Sequence, residues 1–394
     1  MKVEPKDRSA VLCHRQRRKM ARSIHAYVRG NTAKFYEWLA ESDAGRNLPQ
    51  GPPVWICGDC HLGNLGPLAD EAGRVAVQIR DLDQSVIGNP AHDLIRLGLS
   101  LASAARGSAL PGVATARMIE QMVDGYEAAL AGDWDGAPEP EIVRSIRRRA
   151  LGRRWKHLAK ERLADVTPKI PLGRKFWALD EKERAAIEAL IGEAPVRRMI
   201  LSLNARDEED EVTLVDAAYW VKGCSSLGRL RYAVLVAIGD PDGGTLALVD
   251  LKEAVPAVAP AAPGAKLPRD DAKRVVAGAR ALSPHLGGRM QAARLLGKPV
   301  VVRELLPQDL KIEVEQFTKR QAIAAARYLA NVVGRAHARQ MDAGMQEAWR
   351  ATLRDYHGGG LEAPSWLWNG VVELMARHEA GYLDYCRRYA LEEA

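Results

Sequence analysis

Four polar side chains in the amino-terminal third of the sequence have the types and spacing for phosphoryl transfer. Asp59 and Asn64 stand five residues apart in "CGDCHLGN", and two further acids follow in "RDLD". Transfer from ATP needs a carboxylate beside the acceptor hydroxyl and oxygen ligands for Mg²⁺. Kinase-type catalytic loops place Asp and Asn five residues apart and supply a second Asp from a following hairpin. The spacing predicts Asp59 as the general base. The predicted metal ligands are Asn64, Asp81 and Asp83.

The same stretch carries Cys57-x-x-Cys60-His61, a spacing shared with haem-attachment, zinc and thioredoxin-like sites. Haem attachment normally takes place outside the cytoplasm, and the charged amino terminus predicts no export signal. Zinc requires four ligands, and no second Cys-x-x-Cys is present. A thioredoxin-like redox pair lies at the start of a helix, but here Gly-Asn-Leu-Gly follows where that helix should begin. The five cysteines are an odd number, which favours reduced thiols in the cytoplasm. We therefore expect Cys57 and Cys60 to bind neither haem nor zinc.

A β-rich segment far downstream can supply the phosphate-binding part of such a site. Residues 215–255 resemble a β-meander in pattern, with the turn "GCSSLG" before one strand and the run "LALVDLKEA" in another. Backbone N–H groups of such a turn can cradle phosphate, and a lysine can neutralise it. A plain hairpin turn and a surface lysine are the alternatives. The predicted nucleotide-binding residues are Gly223, Ser225, Ser226, Gly228 and Lys252.

The elements that must position these residues predict an α+β fold. Residues 12–42 and the chain from 316 onward have helical patterns, and residues 74–83 alternate as a strand that ends in acids. The predicted architecture is a two-lobed, protein-kinase-like fold. Ordinary kinases place the Gly-rich turn and lysine before the catalytic loop, whereas Asp59 here precedes Lys252. The order predicts a circular permutation, which is tolerated where termini lie at the surface.

Three segments follow from this interpretation. We expect a helical catalytic lobe over 1–205, a β-rich nucleotide-binding lobe over 206–312, and helices over 313–394 that complete the helical lobe. A basic stretch, "RSIRRRALGRRWKHLAKER" at 144–162, is either a solvated helix face or a platform for an acidic or phosphorylated substrate. Arg29 could reach a phosphate or form a structural ion pair, and His337 is expected to be a packed helix residue.

Two runs resemble the small-molecule kinases that phosphorylate aminoglycosides and choline. "CGDCHLGN" is similar to their His-Gly-Asp-x-His-x-x-Asn loop, with Cys57 in place of the first His. The resemblance implies catalytic roles for Asp59 and His61. "RDLDQSVIGNPAHDL" is similar to their Ile-Asp-Trp-Glu…Gly-Asp-Pro-x-x-Asp-Leu run, which implies that Asp81 binds metal and that Asp93 braces the loop from a helix.

Motifs along nearly the whole chain resemble the bacterial family called domain of unknown function 2252. They include "KMARSIHAYVRGN", "CGDCHLGNLG", "GCSSLGRLRY", "RVVAGAR", "VVRELLPQDLKIE" and "GRAHAR". The kinase comparison departs at "RVVAGAR", where a helix should offer a Glu to pair with Lys252. Glu253 or Glu304 could supply that carboxylate instead.

The function expected from these residues is Mg²⁺- and ATP-dependent phosphoryl transfer to an unknown hydroxyl acceptor. AMP transfer belongs to the same class. The alternatives are a non-catalytic nucleotide-binding module of kinase-like fold and a two-metal phosphoesterase. The second class needs further His-containing motifs in a set order, and the sequence does not show them in that order. The net charge of +7 fits an acidic or phosphorylated ligand without requiring nucleic acid. We expect no membrane span, because no run of about 18 apolar residues occurs.

Overall fold

The computed structural model describes residues 3–108, 110–133, 138–154, 157–159, 169–203, 206–223, 226–239, 244–310, 318–356 and 364–389. The fold is mixed α+β, as predicted, with a large antiparallel sheet between two mainly helical parts of the chain. Within these ranges no helix is both long and apolar enough to cross a membrane.

The amino-terminal part forms helices and then short strands. The helices are α1 (Arg8–Ala21), α2 (Ile24–Gly30), α3 (Thr32–Glu41) and α4 (Asp43–Arg46). The strands are β1 (Val54–Ile56), β2 (Leu65–Ala69), β3 (Val75–Ile79) and β4 (Val86–Gly88). The side chains of Ser23, Asn31 and Ser42 accept first-turn N–H groups, which explains where α2, α3 and α4 begin.

The short strands pair into antiparallel ribbons that hold two loops side by side. β1 pairs with β4, Val54 opposite Gly88, and β2 pairs with β3, Leu65 opposite Ile79. The 57–64 loop joins β1 to β2, and the 80–85 loop joins β3 to β4. Because both loops connect the same ribbons, the predicted base and the predicted metal ligands lie close together.

Buried helices support these loops from below. They are α5 (Ala91–Gly107), α6 (Gly112–Leu130) and α7 (Glu141–Leu151). α5 is buried along most of its length and carries Asp93, Arg96 and Ser100 into the interior. The Ser100 hydroxyl accepts the N–H of Leu62 at 3.1 Å, which ties the 57–64 loop to this helix.

A six-stranded antiparallel sheet follows, in the spatial order β5-β6-β7-β8-β10-β9. Its strands are β5 (Phe176–Trp177), β6 (Val212–Trp220), β7 (Arg231–Ile238), β8 (Thr245–Glu253), β9 (Met290–Leu295) and β10 (Lys298–Glu304). The helices of this part are α8 (Glu181–Gly192), α9 (Ala194–Leu201), α10 (Asp271–Leu282) and α11 (Pro284–Gly287). α8 and α9 share a hydrophobic core with one face of the sheet. This core therefore begins upstream of residue 206, the predicted start of the β-rich lobe.

The last helices return to the amino-terminal half. They are α12 (Lys319–Ala338), α13 (Ala343–Asp355) and α14 (Ser365–Tyr389). α12 lies so close to α6 that a Cβ at Gly125 would stand 2.1 Å from the carbonyl oxygen of Arg327. Only glycine permits this approach. The main hydrophobic core therefore combines side chains from both ends of the chain, among them Phe35, Trp38, Leu367 and Val371.

Candidate active site

The 57–64 loop is held in place by a buried carboxylate on α5. Asp93 accepts the N–H of Cys57 at 2.7 Å and the N–H of Gly58 at 3.0 Å. Gly58 has φ of +72°, and a Cβ there would lie 2.2 Å from the carbonyl oxygen of Gln84. The sharp turn therefore requires glycine. This is the bracing geometry that the sequence predicted for Asp93.

A chain of hydrogen bonds fixes Asp93 from behind. His337 Nε2 lies 3.2 Å from its carboxylate, and His337 Nδ1 lies 2.9 Å from the Tyr126 hydroxyl. The Trp349 indole N–H donates to the same hydroxyl at 3.2 Å. His337 is fully buried in this chain. It is thus a packed helix residue, and it acts on the loop only through Asp93.

Asp59 projects from the loop toward a cavity and is oriented by an arginine. The Arg96 Nε donates to one carboxylate oxygen at 2.9 Å, and its Nη2 donates to the Val28 carbonyl at 2.8 Å. His61 Nε2 stands 3.9 Å from the other carboxylate oxygen. Burial raises the pKa of Asp59, although Arg96 opposes that shift. A carboxylate with a raised pKa suits proton abstraction.

Asn64 ends the loop beside Asp59. Its amide N–H donates to the Asp59 backbone carbonyl at 3.0 Å, which leaves the amide oxygen as the atom suited to a cation. Its backbone carbonyl accepts the N–H of Arg80 at 2.7 Å, so the two loops are joined at this point.

Lys252 of β8 meets both acids of the 80–85 loop. Its Nζ lies 3.1 Å and 3.2 Å from the two carboxylate oxygens of Asp81, and 2.6 Å from Asp83. Burial alone would raise the pKa of Asp81, but the charge and hydrogen bonds of Lys252 outweigh burial and lower that pKa. Burial and the neighbouring Asp81 charge raise the pKa of Asp83. Burial would lower the pKa of Lys252, but the two carboxylates raise it.

The Gly/Ser turn between β6 and β7 contributes Gly223 and Ser226 to the same cavity, whereas the predicted Gly228 lines a separate cavity beside Tyr219. Gly223 and Gly228 have φ of +103° and +97°, which side chains rarely adopt. The Lys19 ammonium donates to the Gly223 carbonyl at 2.6 Å and so ties the turn to α1. Ser226 lines the cavity with Gly223, whereas Ser225 lies outside the described residues.

Most of the predicted residues converge on one cavity of about 300 Å³ between the sheet and the helical part. Its predicted members are Asp59, His61, Asn64, Asp81, Gly223, Ser226 and Lys252. Asp83 lines an adjoining cavity of about 160 Å³ together with Asp59, Asn64 and Asp81. The cluster offers two carboxylates and one amide oxygen, a donor set that Mg²⁺ accepts with added waters.

Glu304 and Glu253 do not reach Lys252. Glu304 accepts two hydrogen bonds from Arg206, at 2.6 Å and 2.8 Å. Glu253 accepts from the Leu230 N–H and from Lys298. Lys252 instead takes its carboxylates from the 80–85 loop, which already lies opposite the sheet.

Arg274 lies on α10, the helix in which a kinase would carry the glutamate that pairs with its lysine. Its guanidinium donates to the backbone carbonyls of Ser85 at 2.6 Å, Asp83 at 3.1 Å and Val255 at 2.8 Å. α10 is therefore linked to the backbone of the 80–85 loop and not to the lysine. The run "RVVAGAR" contains an arginine in place of an acid, but the sequence does not show which backbone carbonyls this arginine binds.

Several cationic residues of the cavity were not predicted. They are Lys19, Arg80, Lys222, Arg231 and Arg303. One signal was available: in a strand, residues two apart share a face, so Asp250 faces the same way as Lys252. Asp250 binds Arg231 through two hydrogen bonds, at 3.0 Å and 2.6 Å.

The cysteines of the opening motif are buried and free. A side-chain hydrogen bond with Cys60, and burial, raise the pKa of Cys57 well above its usual value. The Cys57 N–H is bound to Asp93, so its backbone serves the loop. Among the described residues, no three His, Cys, Asp or Glu side chains form a metal-binding group, and the cation donors above therefore include the Asn64 amide.

The fold and cavity define an α+β protein with a cationic cleft between an antiparallel sheet and a helical body. The family model described as "Uncharacterized protein conserved in bacteria (DUF2252)" matches residues 8–388, so the chain belongs to this family. No curated protein and no solved structure matches the chain.

Proposed function

We propose that this protein is a Mg²⁺- and ATP-dependent phosphotransferase with a circularly permuted, kinase-like arrangement. One observation carries the proposal. The Lys252 ammonium contacts Asp83 and also contacts Asp81 in the cavity that holds Asp59 and Asn64, although the lysine and the loops are far apart in sequence. A phosphate-binding lysine facing a metal-binding aspartate and a candidate base is the set of groups that phosphoryl transfer requires.

The order of parts within the sheet supports the same proposal. The Gly/Ser turn joins β6 to β7, the lysine lies on the next strand, β8, and the helix α10 precedes the β9–β10 hairpin. Protein kinases likewise place a Gly-rich loop first, a lysine on the third strand, and then a helix. In this proposal β6, β7 and β8 take the places of those three strands.

Each side chain has a distinct task in this proposal. Asp59 takes the proton of the acceptor hydroxyl, and Arg96 keeps its carboxylate aimed at the cavity. Lys252 stays cationic and neutralises a phosphate oxygen. Asn64, Asp81 and Asp83 would hold Mg²⁺, which would supply positive charge to the phosphates.

A nucleotide-binding module without turnover is the second candidate, because α10 offers Arg274 where active kinases pair their lysine with a glutamate. In that case Lys252 would remain bound to Asp81 and Asp83. Nucleotide would then bind, and its terminal phosphate would not be transferred.

Calorimetric titration with Mg-ATP tests the proposal without knowledge of the acceptor. Wild type is expected to bind, and Asp81→Asn to bind about tenfold or more weakly, because a charged ligand for the metal is lost. Asp43→Asn, an exposed aspartate on α4, is the matched control and should bind as wild type. Absence of Mg-ATP binding to wild type would refute the proposal, and binding without any ATP consumption would favour the second candidate.

A further inference from the structure

The cleft face of the sheet next to Lys252 is charged where a kinase-like site would need an apolar surface for a purine. The antiparallel register places Asp250 of β8 beside Arg303 of β10. Asp250 is 2% exposed and forms an ion pair with Arg231. The Arg303 guanidinium stands 3.9 Å from the same carboxylate. A row of charged side chains therefore follows Lys252 along the strand.

The next part of this face is already covered. Leu248 and Leu235, one step further along β8 and β7, are buried in a cluster with Trp220 and Phe176. Leu305, directly after β10, belongs to the same cluster. The sheet face beyond the charged row is thus packed against the protein itself.

The recess that remains is small. It has a volume of about 50 Å³ and is bordered by Asp81, Lys252, Asp250, Arg80 and Arg303. That is room for a few water molecules and not for a purine ring. Small-molecule sites usually surround such rings with apolar and aromatic side chains. Part of this wall is also apolar, with Val275, Leu286, Met290 and Val301, but the recess is too small for such a ring, and its cationic part favours an anion.

Two arginines in this recess lack a full set of partners. Within the described residues, the Nε of Arg80 and the Nε of Arg303 are buried and have no hydrogen-bond partner. Arg80 Nη2 reaches only the Asp309 backbone carbonyl at 3.4 Å, and Arg303 Nη1 reaches only the Arg80 carbonyl at 3.3 Å. Half-buried guanidinium groups side by side repel each other unless an anion joins them.

We propose that Arg80 and Arg303 form a phosphate subsite behind Lys252, so that the donor is recognised through its phosphate chain and not through its base. One continuous cavity runs from Asp59 past Lys252 to both arginines. A triphosphate chain can lie along it, with its terminal phosphate toward Asp59. Nucleoside triphosphates and inorganic polyphosphate share this chemistry. The direction of transfer rests on the proposed function, but the binding preference does not.

Calorimetry with the wild-type protein tests the preference directly. Mg²⁺ complexes of ATP, GTP and tripolyphosphate are titrated separately, and adenosine is titrated as the base without phosphates. The three anions are expected to bind within about threefold of one another, and adenosine not at all. Tighter binding of tripolyphosphate than of both nucleotides would identify inorganic polyphosphate as the donor. ATP binding more than tenfold tighter than GTP or tripolyphosphate would overturn the proposal, as would a failure to bind any of the three.

Arginine variants test the location. Arg303→Gln and Arg80→Gln are each expected to weaken tripolyphosphate binding about 10- to 100-fold, because a charge-assisted hydrogen bond is lost. Arg294→Gln, an exposed arginine on neighbouring β9, is the matched control and should bind as wild type. Circular dichroism and thermal melting identify any variant that fails to fold. In that case the titrations of wild-type protein still test the binding preference, because they need no variant. Wild-type affinity in both folded variants would place the phosphates elsewhere.

The outcomes separate this inference from the proposed function. If tripolyphosphate binds in an Arg303-dependent manner while no phosphate is transferred from any donor, the subsite stands and the transferase proposal fails. If ATP is consumed in an Asp59-dependent manner but binds far more tightly than GTP, the transferase proposal stands and the phosphate-chain inference fails.

Discussion

The two sides of the cleft present carboxylates that differ in how they are held. On the helical side, Asp59 lies on a loop whose N–H groups donate buried hydrogen bonds to Asp93, and the pKa of Asp59 is raised chiefly by burial. On the side that faces the sheet, Asp81 contacts Lys252, and the lysine lowers its pKa. Neighbouring carboxylates whose environments shift their pKa values apart commonly divide the roles of base and charged ligand. The pKa values of the two aspartates therefore differ because of their positions in the fold, since the residue type is the same.

Replacement of Asp59 should give the largest effect and tests its role as base. Asp59→Asn is expected to bind Mg-ATP as wild type does, because the base does not hold the nucleotide. ATP consumption should fall about 10²- to 10⁴-fold. Calorimetry measures the first quantity and a phosphate-transfer assay the second. A loss of nucleotide binding in Asp59→Asn would reverse the roles assigned to the two sides.

Replacement of Asp93 tests whether the 57–64 loop depends on one buried brace. Asp93→Ala leaves the N–H groups of Cys57 and Gly58, and His337, without their buried acceptor. We expect a loss of about 3 kcal/mol in the free energy of unfolding, measured by urea denaturation. Asp384→Ala, at an exposed position on α14, should change it by less than about 0.5 kcal/mol. Equal stability of both variants would show that the loop is held by packing alone.

The pH dependence of stability should give the smallest effect and tests the opposite pKa shifts. Because the pKa of Asp59 is raised, the folded state keeps a proton that the unfolded chain releases near pH 4, so the contribution of Asp59 falls as pH rises. The lowered pKa of Asp81 acts oppositely: its contribution is present above about pH 4 and is lost as pH falls through the folded pKa.

Urea denaturation of Asp59→Asn and Asp81→Asn from pH 3 to 7 measures both signs. Relative to wild type, Asp59→Asn should gain stability as pH rises, and Asp81→Asn should lose it. Shifts of the same sign would mean that burial governs both carboxylates and that Lys252 does not distinguish them.

Local sequence patterns carried much of the site. Asp59, Asn64 and Asp81 lie in short loops flanked by strands. The glycine turn precedes β7, and Lys252 lies on the next strand, β8. Such features depend on neighbours along the chain, and strand alternation and turn residues can be recognised from the local sequence. The α+β fold and the membership in the bacterial family were recognised from the same runs.

The partners of these residues could not be read from the chain. Glu253 and Glu304 were two candidates for an ion pair with Lys252, and that pair could also have been absent. Lys252 instead contacts Asp81 and Asp83, and Glu304 is bound by Arg206. The reason is geometric: strand order and the packing of α10 decide which distant side chains face the lysine, and sequence spacing does not report either. The same holds for the pairing of Arg96 with Asp59.

The chemistry available in the cleft follows from the residue types, because they set which atoms donate, accept or carry charge. How that chemistry is distributed follows from the packing of the folded chain. Burial against α5 raised the pKa of Asp59, and the approach of β8 to the 80–85 loop lowered that of Asp81. Strand register likewise set Arg303 beside Asp250 and brought two arginines into one recess. Desolvation and charge proximity depend on three-dimensional distance, which arises only when both ends of the chain pack into one core.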